Sequence, residues 1–540
     1  MATQTPALQN RSAYHRNWGN YNDGGQTTPA NGTLPNQASA PLNFPEFAKL
    51  EAGDMAYVTA VDPGLYVCQN PGTVGNGDAT WVPVGATSIT RAAPQIVVGS
   101  SAAPYNNTSA DADVLEPGDG TGIESALANA AALVSGGYEG VDVRLRPMNV
   151  VIDPSSVSLP MAIGTNVRLY GAGQNVTQII GGDGQGNTSQ TVFSVGIRAE
   201  LHRMQILSPA ATTDPAPGNG VVRVFGGNSQ VSDLLVQVQS GGPVSRSDAA
   251  AIQVSPGAFA ADNVVIRDCL LVLDNALVND GVRSTGVLVG SGSSTLNSRN
   301  PVVRDCRILG GNQGVIFLNW QDGIADGIEF YPSSAVCIGV GWVFNDQSPS
   351  SEEIRAASIS NVFVQMIAEG GAGGEGVGVL IETNAPVQAR MARISQVTVD
   401  FPSPNLNNTT DRIGVLLQTL DGSDLMLDCT IDQVIVRGDT AGQVAPFDAG
   451  IRLSFEGDFH ARIGINNCQM TGGDIQYELV GGGATENVRI VGCGGNDGGV
   501  GLNIASGNFE DTIAVANHFN GNGASIQDFG TNTLLANNVV

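Results

Sequence analysis

From residue 141 to the end, the chain is written in short apolar runs of four to seven residues, each closed by Gly, Asn or Asp. Runs of that length with that punctuation predict β-strands, since a helix needs roughly ten or more residues at 3.6 spacing. Near the C-terminus one unit recurs: Ile-Asn-Asn-Cys468, Ile-Val-Gly-Cys493, Ala-Val-Ala-Asn517 and Leu-Leu-Ala-Asn537, at spacings of 25, 24 and 20 residues. Echoes of it end at Cys269, Cys306 and Cys429. Self-similarity at a near-constant period marks a solenoid, in which each repeat buries its apolar face only by stacking on its neighbours. The pattern predicts an all-β fold, a right-handed parallel β-helix with one coil per 20–25 residues apart from insertions. Cys468, Cys493, Asn517 and Asn537 are expected to stack in one ladder. Stacked β-sandwiches are the alternative, but they call for alternating hairpins with tight turns.

Ahead of the strands, Ile123, Leu127, Ala131 and Val134 recur at helical spacing, and Gly136-Gly137 closes the run. Thr121 and Glu124 have capping-box spacing, so Thr121 is expected to cap this helix. A solenoid has an open end whose core must be covered, and a short amphipathic helix does this. Residues 46–88 read as a small β module, with strands around Met55–Thr59, Leu65–Cys68 and Trp81–Val84. Residues 1–45 form an extended polar arm and 89–120 a linker, leaving 121–540 for the capping helix and the solenoid.

Composition agrees with a thin, many-cornered core: 71 glycines, 5% aromatic residues and 14% charged residues, yet 42% hydrophobic. The glycines are assigned to corners, where positive φ is needed. With 50 acidic against 24 basic residues, the net charge of −26 excludes a phosphate-backbone binder. Lys49 is the only lysine, so no lysine serves as a base in the solenoid. No run approaches a membrane span, and residues 1–20 lack the apolar core of a secretion signal. Synthesis in the cytoplasm is therefore expected. The seven cysteines, Cys68 among them, have no CxxC spacing and are assigned as buried apolar groups rather than disulfides or zinc ligands. His15, His202, His460 and His518 are far apart in sequence, which counts against a metal or triad site. No cofactor and no metal are expected.

The segment GLYVCQNPGT…ATWVPVG resembles the small β modules near the N-termini of phage tail fibres and spikes. GDGTGIESALANAAAL followed by VDVRLRP resembles the start of pectin-lyase-like β-helices, where a GDG turn and a capping helix precede the first strand. Together they resemble bacteriophage tailspikes and related virion β-helix proteins. The resemblance implies a homotrimer on the virion, attached to other virion proteins through residues 1–88, with the solenoid touching a host cell-surface glycan and cleaving it. Three readings stay open: a spike with depolymerase activity of the glycoside hydrolase type, a non-enzymatic virion adhesin or decoration protein, and a free polysaccharide-degrading enzyme. The polar arm and the missing signal count against the third.

Glycoside hydrolysis needs two carboxyls at fixed separation, and an aromatic surface helps to seat the sugar. The stretch 319–331 is richest in both, with Asp322, Asp326 and Glu329 as candidate catalytic carboxyls and Trp320 and Tyr331 as substrate contacts. Trp342 and Asp346 follow about one short coil later and are expected to lie beside them. Asp322 and Asp326 each stand directly before Gly, so a plain turn role competes for both, and packing under a loop competes for Trp320. A second acidic group comprises Glu352, Glu353, Glu369, Glu375 and Glu382, for which a solvated acidic face is the competing role.

Overall fold

The computed structural model describes residues 94–181, 191–208, 220–238, 249–255, 261–273, 284–290, 299–320, 322–334, 336–345, 353–355, 357–367, 374–384, 388–402, 410–420, 425–438, 446–456, 460–482, 485–505 and 508–539, and three strands nearer the N-terminus. The chain divides into two compact units, 1–93 and 94–540. In the first, Met55–Val58, Gly64–Asn70 and Thr80–Pro83 form an antiparallel sheet with Met55 opposite Val67 and Val67 opposite Val82. The arm, residues 1–45, lies outside the described residues.

The second unit is a right-handed parallel β-helix. One coil shows the plan. Val302–Arg304 lies on a first face, Asp305 bends the chain, Cys306–Leu309 lies on a second face, and Gln313–Leu318 lies on a third. The first two faces belong to one continuous sheet folded along the bend, and the third is a separate 13-stranded sheet. All pairing between coils is parallel, as in Cys306 beside Ile328 and Ile328 beside Val362. Alternate residues point inward, so Val, Ile, Leu and Phe from three faces fill one long core. No helix among the described residues is long and apolar enough to cross a membrane.

The predicted ladder forms, with one correction. Cys468, Cys493 and Asn517 stack in register, and the Cys493 N–H donates to Asn517 Oδ1 at 2.9 Å. The next rung is Asn538, whose Oδ1 accepts from the Asn517 backbone and side-chain amides at 3.0 and 3.1 Å. Asn537 is instead the bend residue beside it, at φ 54°. The same bend column runs through Asp305, Gly327, Asn361, Gln396, Gln433, Asn467, Gly492 and Ala516, all left-handed. Asn and Asp suit it because their side chains bond locally and tolerate this conformation. Cys269 and Cys306 occupy the same inward column, whereas Cys429 sits in a different one on the first face, beside Ala392. Coil length also departs from expectation. Asn517 and Asn538 are 21 residues apart, but Trp342 and its partner Ile381 are 39 apart, because extra chain is inserted between faces.

Glycine has a second use that strand spacing does not reveal. Gly286, Gly314, Gly339, Gly378, Gly414 and Gly450 stack on consecutive rungs of the third face. A Cβ at Gly378 would lie 2.5 Å from the Gly414 carbonyl oxygen and 2.5 Å from Val399 Cγ2. This column is where the third face approaches the second. Among the described residues, 25 non-glycine residues have positive φ against 13 glycines, so most corners use other residues.

Parallel pairing starts at Gln95 beside Asp142, inside the predicted linker, because Ile96 and Val98 belong to the core. The predicted helix is α1, Thr121–Ser135, which buries Ile123, Ala126, Leu127 and Ala130 over the open end. Its cap differs from the capping box. Thr121 is the first helical residue, Gly120 takes the cap position at φ 97°, and no side chain bonds from that position. Glu116, fully buried on the preceding strand, does the work. Its Oε1 accepts from Gly118 and Gly120 N–H at 2.8 Å each, and its Oε2 accepts from Ile123 N–H at 2.9 Å. Glu116→Ala orphans three donors, two of them buried, and bonds to a charged partner contribute about 1.5–3 kcal/mol each without adding fully. The expected loss in a urea titration is at least about 2 kcal/mol; an unchanged midpoint would contradict this role.

Candidate active site

The stretch predicted as catalytic lies where the first face bends into the second. Asp322 is a corner residue at φ 52° in a second left-handed column, with Asn300 one coil earlier, which is the plain turn role. Asp326 faces outward on strand Ile324–Tyr331, and its carboxylate is fully engaged. Oδ1 accepts from Ser360 Oγ at 2.8 Å and Asn361 Nδ2 at 2.7 Å, and Arg304 Nε stands 3.3 Å from Oδ2. Partial desolvation works against ionisation, yet these donors and the Arg304 charge hold its carboxyl below the usual range. A carboxyl that ionises this readily is a poor proton donor. Glu329 is exposed and pairs with Arg307 at 3.4 Å. Tyr331 is half-buried against Phe363 and under the Arg307 guanidinium.

The two tryptophans do not form a sugar platform. Trp320 and Trp342 are 1% and 0% exposed, and Trp342 stacks on Phe317 at 4.1 Å inside the solenoid. Trp342 Nε1 donates to the Trp320 carbonyl at 3.1 Å. The sequence reading placed them outside because it counted aromatics without knowing strand parity. Asp346, Glu352 and Glu369 lie outside the described residues, as does the side chain of Glu353.

Glu375 and Glu382, from the second acidic group, are brought together with residues the sequence did not single out. They share strand Gly374–Asn384 on the third face. Asp411 is the register partner of Glu375 on the next rung, and rungs are about 4.8 Å apart. Arg452 bridges the group, with Nε 2.6 Å from Glu478 Oε2 and Nη1 3.4 Å from Asp411 Oδ2. Glu382 accepts from Gln418 Nε2. Asp448 accepts from the Arg412 backbone N–H at 2.7 Å, and Asp474 is its neighbour one rung on. Alongside runs an apolar strip of Val377, Leu380, Ile413, Leu416 and Ala449, all buried.

This setting perturbs the acids in one direction. Desolvation, then the charges of Asp411 and Glu382, raise the Glu375 carboxyl above its ordinary value, with Arg452 opposing. Desolvation raises Asp448 too, reinforced by Asp411 and Asp474 and opposed by the Arg412 N–H and Arg452. Asp474 is raised by desolvation. Glu375 is exposed, open to an incoming sugar, and its raised proton affinity beside the ion-paired Asp411 is the kind of arrangement general acid catalysis uses. Strand parity and an offset of 36 residues conceal the Glu375–Asp411 pair from the sequence.

Raised carboxyls cost stability once ionised. Folding favours their protonated form, so the cost is absent below the ordinary Asp range, near pH 4, and fully present above the raised value. Asp448→Asn removes the charge while its amide oxygen still accepts from Arg412. The variant is expected to melt higher than the parent at pH 7–8, with the difference vanishing as the pH falls toward 4. An equal or lower melting temperature at pH 7–8 would contradict the strain.

No family model matches this chain, and no curated protein matches it. Among solved structures, it is similar to the A-module of mannuronan C-5 epimerase AlgE4 from Azotobacter vinelandii, at 15% identity and TM-score 0.39, covering 77% of this chain and 97% of that one. It is also similar to PfbA, a surface adhesin of Streptococcus pneumoniae, at 11% identity and TM-score 0.44, covering 76% and 91%. A third is the catalytic domain of a GH87 alpha-1,3-glucanase, at 10% identity and TM-score 0.38, covering 80% and 73%. Likeness this distant assigns no activity; the fold rests on the strand register itself.

Proposed function

We propose that the protein is a phage virion spike of the tailspike type that binds a host surface polysaccharide along its third face and hydrolyses it. The observation that supports hydrolysis is Glu375, a carboxyl with raised proton affinity one rung from the ion-paired Asp411. Glu375 donates its proton to the glycosidic oxygen as the bond to the sugar breaks. Asp411, held by Arg452, acts from the other side of the ring, either on the anomeric carbon or through a water. Parallel rungs keep the two backbones at a fixed separation, so the geometry is set before substrate arrives. In this reading residues 1–88 attach the chain to other virion proteins and three copies work together, since threefold symmetry lets identical arms grip one attachment site.

The test is incubation of the full-length protein with purified host capsule or lipopolysaccharide. Shorter chains and new reducing ends are expected, and light scattering should give three 55.5-kDa chains. Binding without shortening would leave an adhesin, and a monomer would count against the spike assembly.

A further inference from the structure

A second constellation lies far from the third-face acids, at the bend between the first and second faces in the early coils. There a cavity of about 970 Å³ is lined by Arg144, Tyr170, Glu200, His202, Ser232 and Arg267, among others. Register explains the gathering. Arg144, Tyr170, His202, Ser232 and Arg267 are successive rungs of one outward column, contributed by five coils. Glu200 stands two residues before His202 on the same strand, so both point to the same side.

The contacts form a relay. Ser232 Oγ is 2.6 Å from His202 Nδ1, and His202 Nε2 is 2.8 Å from Glu200 Oε2. Tyr170 stacks on the imidazole at 4.9 Å and donates its hydroxyl to the same Glu200 oxygen at 3.3 Å. The bond from His202, then the Arg168 charge and the Tyr170 bond, hold the Glu200 carboxyl below its ordinary value, against desolvation. When His202 is neutral with its proton on Nε2, facing the ionised Glu200, Nδ1 presents a lone pair to which the Ser232 hydroxyl donates. Ser232 and His202 are each 6% exposed while lining the cavity, so the relay is shielded yet borders open space. On the next rung, with the Gln230 amide turned so that its oxygen faces Arg267, Nε and Nη2 of Arg267 donate to it at 3.1 and 3.0 Å, which holds a cation beside Ser232.

We propose that this cavity is a serine-dependent esterase site that removes acyl groups from hydroxyls of a sugar chain. Ser232 is the nucleophile, His202 the general base and Glu200 the positioning residue; only the sugar half of the substrate rests on the proposed function. Ser232 Oγ bonds to the acyl carbonyl carbon, its proton passes to His202 Nδ1, and Arg267 balances the charge that develops on the carbonyl oxygen. The carbon–oxygen bond to the sugar breaks, and the sugar oxygen leaves with the proton from Nδ1. Water, deprotonated by the same nitrogen, attacks the acyl-serine, releasing the carboxylic acid and returning the proton to Ser232 Oγ. Ester plus water gives acid plus alcohol, with no oxidant or reductant. A plain stabilising ladder would stack like on like, as the Asn517–Asn538 pair does, rather than tyrosine, histidine, serine and arginine in turn.

The experiment uses the full-length protein with p-nitrophenyl acetate and, separately, a fluorophosphonate probe. Release of p-nitrophenolate is expected, lowered at least about 100-fold in Ser232→Ala. One probe adduct is expected on the peptide carrying Ser232, and none in His202→Asn. Glu200→Gln should lower kcat far more than it changes KM. Absence of an adduct at Ser232 in the parent protein overturns the proposal, whatever the folding of the variants. So does hydrolysis by Ser232→Ala at the parent rate. Because neither assay contains a glycan, this result is independent of whether Glu375 cleaves one.

Discussion

Glu375→Gln lowers the rate at which the protein shortens its glycan by about 10²–10⁴-fold, the usual contribution of a general acid. Glutamine keeps the shape and loses only the proton to be donated. In the parent protein the reaction should fall away as the pH rises through the raised value of Glu375, because the acid is then ionised. Asp411→Asn should cost a comparable factor at every pH, since it deletes the partner carboxylate rather than changing its charge state. Product analysis separates the two geometries: retention of anomeric configuration places Asp411 on carbon, and inversion places a water between them. Parent-level activity in both variants would remove the chemistry from the third face. Loss in Asp326→Asn instead would return it to the bend, against the donors that keep Asp326 ionised.

Trp342→Ala is expected to cost about 3–5 kcal/mol, the range for emptying a large buried aromatic site. Trp342 fills the space against Phe317, and a Cβ at Gly323 would lie 2.4 Å from Trp342 Cη2. The ring therefore fits a slot that only glycine leaves open, and little can collapse into the void. The indole N–H to the Trp320 carbonyl is lost with it. A denaturant titration reads the loss, and a glycan-binding titration well below the melting point should show unchanged affinity. Weakened affinity at unchanged stability would restore the stacking role that the sequence suggested.

Periodicity, punctuation and the scarcity of aromatic residues are enough to read a parallel solenoid, its capping helix and most of one inward ladder. Each of these depends on residues close in sequence or on a repeat visible in one dimension. The cap itself was misread. Glu116 precedes α1 by five residues, on a strand, and reaches back across a turn that Gly118 and Gly120 make possible at φ 107° and 97°. Asn537 and Asn538 are adjacent and identical, and only the backbone turn at Asn537 and the hydrogen bonds from Asn517 to Asn538 distinguish the corner from the rung. The glycines were assigned to corners because positive φ is their best-known use, yet the Gly286–Gly450 column is set by how closely two faces approach.

Both proposed sites needed tertiary structure. In a parallel coil, neighbours in space are one whole turn apart in sequence, and the length of that turn is set by the chain between faces. Here it is 21 residues between Asn517 and Asn538 and 39 between Trp342 and Ile381. Glu375 thus meets Asp411, and His202 meets Ser232 30 residues on, at offsets no fixed period predicts. Parity decides the rest: a one-residue shift turns a side chain from core to surface. The sequence by itself determined that coils would stack around an apolar core, because Val, Ile and Leu spaced between Gly, Asn and Asp have no better way to leave water. Which polar residues share a rung, and which aromatics point inward, was decided only when every loop had set its coil's register.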